Sequence, residues 1–243
     1  MLATIIDQPK TSPKAWVLFA HCFTCSKDII TARNIGKALL ERGYAVVRFD
    51  FTGLGSSEGE FAASNFSSNV SDVLSVTNYL RTHFSAPALL IGHSLGGAAM
   101  LAAAADIAES RAIVTLNSPA NPQQLMPVFK PYLNQIKNTG QAEVPVAGIN
   151  FTITQQFIDD LERQNLPKKI AQLDRPLLIL HAPNDNIVDI DEARKIFTAA
   201  AYPKSFIALD GADHMLKGKG DAEYAVGIID AWVGRYLPLE DHP

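Results

Sequence analysis

The chain has 243 residues, of which 47% are hydrophobic and 19% charged, with a formal net charge of −4. A chain of this length buries a sizeable core as one domain, and its composition is that of an ordinary globular protein. It lacks the basic footprint nucleic acid requires and any apolar run of membrane-spanning length, and Met1-Leu2-Ala3-Thr4-Ile5-Ile6-Asp7 has no signal-peptide character.

In chain order, a short edge segment at Ala3–Ile6 precedes a strand at Ala15–Ala20, a helix at Thr31–Arg42 and a strand at Tyr44–Phe49. A helix at Ser67–His83, a strand at Ala88–Ile91, a helix at Leu95–Glu109 and a strand at Ala112–Leu116 follow. After a long break come a strand at Leu177–His181, a helix at Asp191–Ala200, a strand at Ser205–Leu209 and a helix at Asp221–Tyr236. Most of the strands are continuous apolar runs, the pattern of strands covered on both faces. The alternation predicts an α/β fold, a mostly parallel central sheet with helices on both faces.

The break is far longer than an ordinary connection. It opens with Pro119, Pro122, Pro127 and Pro131, and carries helical patterning around Leu125–Lys137. A hairpin of Glu143–Val146 and Phe151–Thr154 around Gly148 comes next, then a helix from Thr154 to Arg163. The expectation is a cap insertion at 119–172 over a core formed by 1–118 and 173–243. The alternative is an excursion packed elsewhere.

Gly92-His93-Ser94-Leu95-Gly96 joins the apolar run Ala88–Ile91 to an alanine-rich helix. A G-x-S-x-G turn between strand and helix is a nucleophile elbow, which lifts the serine hydroxyl clear of the sheet. Side chains at 92 or 96 would collide with the neighbouring strand and helix. Leu95 opens the helix, so its N–H is free to donate to an oxyanion above the positive end of the helix dipole.

A nucleophilic serine needs a base and the base an orienting carboxylate, here expected in the order Ser, acid, His. After Leu177–His181 comes a turn-forming loop with Asp185 at its centre, and after Ser205–Leu209 comes Asp210-Gly211-Ala212-Asp213-His214. The predicted triad is Ser94, Asp185 and His214, with Asp210 and Asp213 as fallback orienters. His83 and the tail residue His242 are expected to be solvated, His93 to point away from the hydroxyl, and His181 to support the Asp185 loop. His21 is expected to be packed or hydrogen-bonded near the site, and Asp189 and Asp191 to cap a helix. The loop His21-Cys22-Phe23-Thr24-Cys25-Ser26-Lys27 should supply the second oxyanion donor, with the Phe23 N–H preferred and Thr24 next. The glycine-rich loop Asp50–Gly59 lacks the Gly-Lys-Ser/Thr of a phosphate loop.

Together these motifs resemble the α/β-hydrolase superfamily over essentially the whole chain. More narrowly, His21–Asp28, Arg48–Gly55 and Asn65–Val70 resemble the hydrolase half of bacterial hydrolase–OsmC fusion proteins. That resemblance implies an OsmC-like, peroxide-reducing domain or protein as partner. The chain ends at Pro243, just after the last helix, which fits an excised domain or a free-standing relative. Cys22 stands where the superfamily commonly has the glycine of a His-Gly pair.

The reading is a serine carboxylic-ester hydrolase that needs no metal or organic cofactor and prefers short acyl groups. Its substrate is a small-molecule ester, with no nucleic acid or membrane partner. Peptidase, thioesterase and perhydrolase chemistry use the same groups and stay open. Phe23, Met126, Val128, Phe129, Phe151 and Phe157 are the candidate pocket lining. Cys22 and Cys25 form a C-x-x-C at a strand-to-helix junction, so a thiol-redox module or redox-gated hydrolase is the alternative. Two cysteines make no disulfide scaffold, however, and a cytoplasmic protein with both thiols reduced is the expectation.

Overall fold

The computed structural model describes residues 1–237. Thr4–Asp7 (β1) and Trp16–Ala20 (β2) lead into helix Ile30–Glu41 (α1), then Ala45–Phe49 (β3) and Phe66–His83 (α2). Leu89–His93 (β4) turns directly into Leu95–Ala103 (α3), and Ala112–Leu116 (β5) ends the first half. The long excursion holds short helices Met126–Phe129 (α4) and Leu133–Thr139 (α5), strands Gln141–Val146 (β6) and Ile149–Thr154 (β7), and helices Gln155–Arg163 (α6) and Leu166–Ala171 (α7). Leu177–His181 (β8), Ile190–Ala199 (α8), Lys204–Ala208 (β9) and Asp221–Val233 (α9) complete the described chain.

The main sheet has the order β1-β3-β2-β4-β5-β8-β9. β1 runs antiparallel to β3 and all other pairs are parallel. Strands β2, β3, β4, β5 and β8 are buried at every position, which explains why they are apolar apart from Arg48, Thr115 and the terminal His93 and His181. Leu18, Val47, Leu90 and Ile179 face a core shared with α2, α3, α7 and α8. Val17, Val46, Ile91 and Leu180 face the core shared with α1 and α9. Helix α3 is buried at all nine positions, hence its composition of alanine, glycine, leucine and methionine with no polar face.

Several boundaries differ from the sequence expectation. The helix after the elbow stops at Ala103 and tightens into a 3₁₀ turn at Ala104–Asp106. The helical stretch expected at Leu125–Lys137 is broken into 3₁₀ and α pieces, because Pro127 and Pro131 each lack a donor. Helix α7 was not expected; Asn165 caps it by accepting from Lys168 N (3.3 Å), with a proline in the first turn. Among the described residues no helix is long and apolar enough to cross a membrane. His242 lies outside the described residues.

The excursion fastens to the segment before and at the start of α2. Asp160 accepts from Ser67 N (2.9 Å) and Ser67 Oγ (2.5 Å), and Gln156 Nε2 donates to the Ser64 carbonyl (2.8 Å). An aromatic group lies alongside this polar seam. Phe23 packs against Phe61, Phe129 and Phe157 with ring centres 6.0, 6.2 and 5.9 Å away.

Candidate active site

The parallel register brings the carboxyl ends of β2, β4, β5 and β8 to one edge of the sheet, where ligands bind in open α/β folds. Ser94 sits there at the tip of β4 with φ 54° and ψ −125°, a strained conformation for a residue with a side chain. Its N–H donates to the Leu116 carbonyl (2.8 Å), which anchors the turn to β5. The turn is as tight as the motif requires. A Cβ on Gly92 would lie 2.4 Å from the Gly96 carbonyl oxygen, and one on Gly96 would lie 2.4 Å from the carbonyl oxygens of Ala20 and His21.

His214 and Asp185 meet beside this turn. The imidazole Nδ1 donates to Asp185 Oδ2 at 2.6 Å, and the other carboxylate oxygen accepts from Ile187 N (2.8 Å) and Val188 N (2.9 Å). Burial alone would raise the Asp185 carboxyl. The bonds from His214, Val188 and Ile187 outweigh it and hold the group below the usual carboxylate range. Ser94, Asp185 and His214 expose only 7, 9 and 7% of their surface. Of the fallback acids, Asp213 is exposed and accepts from Lys217 N (3.0 Å), and Asp210 is exposed. Neither is bonded to the ring.

The other histidines fall into supporting places. His93 donates from Nε2 to the His214 carbonyl (2.7 Å), and desolvation brings its pKa down to about 3, so it is neutral. His181 donates from Nε2 to the Val188 carbonyl (2.8 Å), which braces the loop of Asp185. His21 bonds the Cys22 carbonyl through Nδ1 (2.8 Å) and accepts from Phe51 N at Nε2 (3.3 Å). Burial lowers its pKa to about 4, so the ring is neutral near pH 7 with both nitrogens already engaged. His83 is exposed and stacks on Tyr79. Asp189 accepts from Asp191 N (2.8 Å) as the cap of α8, and Asp191 lies in the first turn.

The loop after β2 carries Phe23 and one correction. Cys22 and Cys25 form a disulfide, with Cα atoms 5.3 Å apart, and are not the free thiols expected. The local cause is a turn: Cys25 N donates to the Cys22 carbonyl (3.2 Å), and Thr24 takes a left-handed φ of 56°. Among the described residues neither the Phe23 nor the Leu95 N–H donates to another protein group. The far end of the loop is pinned by charge. The fully buried Asp50 accepts from Lys27 N (2.5 Å), Lys27 Nζ (2.8 Å) and Ser56 N (2.8 Å), so the loops after β2 and β3 share one anchor.

The candidate pocket residues divide. Phe129 and Phe157 are buried with rings 5.6 Å apart, and Phe151 packs on Phe61 at 4.8 Å. Met126 packs partly buried against the same core. Val128 is 42% exposed and does not join them, because the helix turn that buries Phe129 directs its near neighbour outward. Phe61 was missed; its only sequence signal is an aromatic placed just beyond the glycine-rich loop. Asn117 was also missed. Among the described residues no three His, Cys, Asp or Glu side chains are grouped so as to hold a metal.

A parallel sheet, a serine at the strand-to-helix turn and acid and histidine on later strand-end loops define an α/β-hydrolase. The solved esterase domain of a Rhodothermus marinus protein has this fold: it superimposes with a TM-score of 0.78 at 40% identity, covering 98% of this chain and 100% of that one. The chain belongs to the Hydrolase_4 family, described as serine aminopeptidase, S33, which matches residues 11–166. The α/β-hydrolase domain-containing protein 10 from mouse gives a TM-score of 0.77 at 25% identity, covering 96% of this chain and 94% of that one. By sequence, the mitochondrial palmitoyl-protein thioesterase of Pongo abelii is 30% identical over 200 residues, 77% of this chain and 63% of that protein. The match therefore spans less than two thirds of that relative's length.

Proposed function

We propose that the protein hydrolyses carboxylic esters of short acyl chains through an acyl-enzyme on Ser94. His214 Nε2 takes the Ser94 proton as Oγ attacks the carbonyl carbon, and returns it to the leaving alkoxide as the carbon–oxygen bond breaks. Water, deprotonated by the same nitrogen, then attacks the acyl group and releases the acid. Asp185 holds the imidazole with its proton on Nδ1. The N–H groups of Leu95 and Phe23 receive the oxyanion.

The observation that carries this reading is the 2.6 Å bond from His214 Nδ1 to Asp185 Oδ2, because it leaves Nε2 as the basic nitrogen. Segment 119–172 acts as the cap, with Phe23, Met126, Phe129, Phe151 and Phe157 shaping the acyl site. The mutual contacts of these rings support a small acyl site. The Rhodothermus marinus neighbour is called an esterase and the Pongo abelii relative a palmitoyl thioesterase, so acyl length and leaving atom are the properties to measure.

Ser94→Ala should lower ester turnover by about six orders of magnitude, the scale of losing such a nucleophile. Fluorophosphonate should label Ser94 in the wild type, with the site identified by mass spectrometry. Residual activity above a few per cent in pure Ser94→Ala overturns the assignment. Comparable kcat/KM for butyrate and palmitate esters overturns the short-chain preference.

The Cys22–Cys25 disulfide favours a second reading, a thiol-gated hydrolase. A dithiol would reduce the bond to two thiols and leave as its own disulfide, releasing the loop that bears Phe23. Esterase rates across a dithiothreitol-to-peroxide series decide it: a reversible change above tenfold that is absent in Cys25→Ala supports gating. An OsmC-like partner belongs with this second reading and rests on the three sequence runs alone. Cytoplasmic residence stays a proposal, and a formed disulfide weighs against it.

A further inference from the structure

Asn117, the residue after β5, takes no part in the chemistry proposed above, yet it is fully buried. Its backbone lies in the left-handed region at φ 49°, and its N–H donates to the Leu180 carbonyl (2.9 Å). Both ends of its side chain are occupied. Nδ2 donates to the carbonyls of His214 (2.9 Å) and Asp213 (3.3 Å), and Oδ1 accepts from Ala182 N (2.8 Å). Two carbonyls on one side and an N–H on the other admit only this orientation of the amide.

These contacts join the separate pieces of the site. Ala182 opens the loop that carries Asp185, and Asp213 and His214 form the loop that carries the base. Leu116, one residue before Asn117, accepts the N–H of Ser94 (2.8 Å). One strand end therefore holds the elbow through its backbone and both other loops through a single amide. The His214 carbonyl takes a second bond from His93 Nε2 (2.7 Å), the residue adjoining the nucleophile.

We infer that Asn117 is a positioning residue: it sets the loop of Asp185 against the loop of His214 and both against Ser94. The inference rests on the hydrolase reading above. Its physical basis is that an acid, a base and a nucleophile on three loops have no covalent reason to stay in register. Misplacement of about 1 Å costs about 10²-fold in rate. An asparagine suits the task because it tolerates positive φ and offers both donor and acceptor from a short stem.

Two variants keep the backbone conformation. Asn117→Asp retains the acceptor for Ala182 N and places an acceptor against two carbonyls, whereas Asn117→Gly removes both ends of the bridge. Each should lower kcat for p-nitrophenyl acetate by about 10²-fold with KM within about threefold. The low-field proton resonance of the His214–Asp185 bond should shift or vanish in both. Val76→Ala, a buried cavity in α2, is the control: it lowers the melting temperature and leaves kcat and that resonance in place. Stoichiometric fluorophosphonate labelling of wild-type Ser94 tests the hydrolase reading separately, and its absence sinks that reading first. With labelling intact, folded variants whose kcat stays within threefold overturn the positioning role. So does failure of both variants to fold, since the residue would then serve folding alone.

Discussion

Asp185→Asn separates orientation of the imidazole from the architecture around it. In the native site one carboxylate oxygen accepts from Ile187 N (2.8 Å) and Val188 N (2.9 Å), and the other faces His214 Nδ1 at 2.6 Å. An asparagine has one acceptor oxygen, and the two N–H groups claim it. Its NH₂ is then turned toward Nδ1, which must accept, and the ring proton moves to Nε2. That is the nitrogen that takes the Ser94 proton in the proposed mechanism. A wrong tautomer of this kind costs about 10⁴ in kcat, which is about 5.4 kcal/mol of barrier. The fold loses much less: one charge-assisted hydrogen bond, about 1.5–3 kcal/mol, or roughly 3–12 °C in Tm for a chain of this size. Turnover of p-nitrophenyl butyrate, calorimetry and fluorophosphonate labelling rates on the purified variant give the three numbers needed. Activity within tenfold of wild type in folded Asp185→Asn refutes the argument. A crippled Asp213→Asn beside that near-normal Asp185→Asn would make Asp213 the acid.

Stability should fall as pH drops from about 6.5 toward 4, because His21 and His93 are held neutral with pKa values of about 4 and about 3. The unfolded chain takes up protons at both sites below its ordinary histidine pKa, while the folded one does not, so the slope approaches about 2.7 kcal/mol per pH unit. Urea unfolding midpoints that are flat from pH 7.5 to 5 contradict this. Gly96→Ala drives a Cβ to 2.4 Å from two backbone oxygens and should cost about 1–3 kcal/mol and about 10² in rate, since those oxygens lead into the loop of Phe23. Gly234→Ala, whose Cβ meets only the Asp230 carbonyl at 3.5 Å, is the silent control. Thiol titration of denatured, unreduced protein should find no free cysteine; the short loop closed by the bond contributes about 2 kcal/mol, and two titrating thiols disprove the pairing.

The sheet was legible because its inner strands are buried on both faces and so read as largely apolar runs, from Trp16–Ala20 to Leu177–His181. The elbow was legible because close backbone approach leaves glycine as the only residue at 92 and 96. Asp185 and His214 were placed by the order in which strand-end loops arrive, and the same order offered Asp213, which only the side-chain geometry sets aside. Asn117 left no trace in the sequence: an asparagine after a strand reads as a turn residue, and its partners lie 65 to 97 positions away. The cysteines were misjudged for a different reason. Compartment defaults outweighed a local turn that brings the two Cα atoms together. Within the excursion one helical stretch was expected to run through Pro127 and Pro131, and the missing donors of these two residues break it into short pieces.

The excursion leaves the sheet from β5 and re-enters it at β8, and these two strands are hydrogen-bonded neighbours. Its ends are therefore fixed about one strand length, roughly 13 Å, apart by the sheet itself, whatever lies between them. Closing a loop costs only about 0.6 kcal/mol more for each doubling of its length, so the sheet tolerates very different segments there. The segment is in effect a cassette. A foreign insert joined after Ser118 and before Leu173 would inherit the intact elbow and the loops of Asp185 and His214. It would have to re-create the clasp on Ser64 and Ser67, the ring contacts with Phe23 and Phe61, and the cover that Leu166 and Ile170 of α7 give to α3 and α8. On the hydrolase reading proposed above, selectivity would then be open to transplantation with the chemistry left in place.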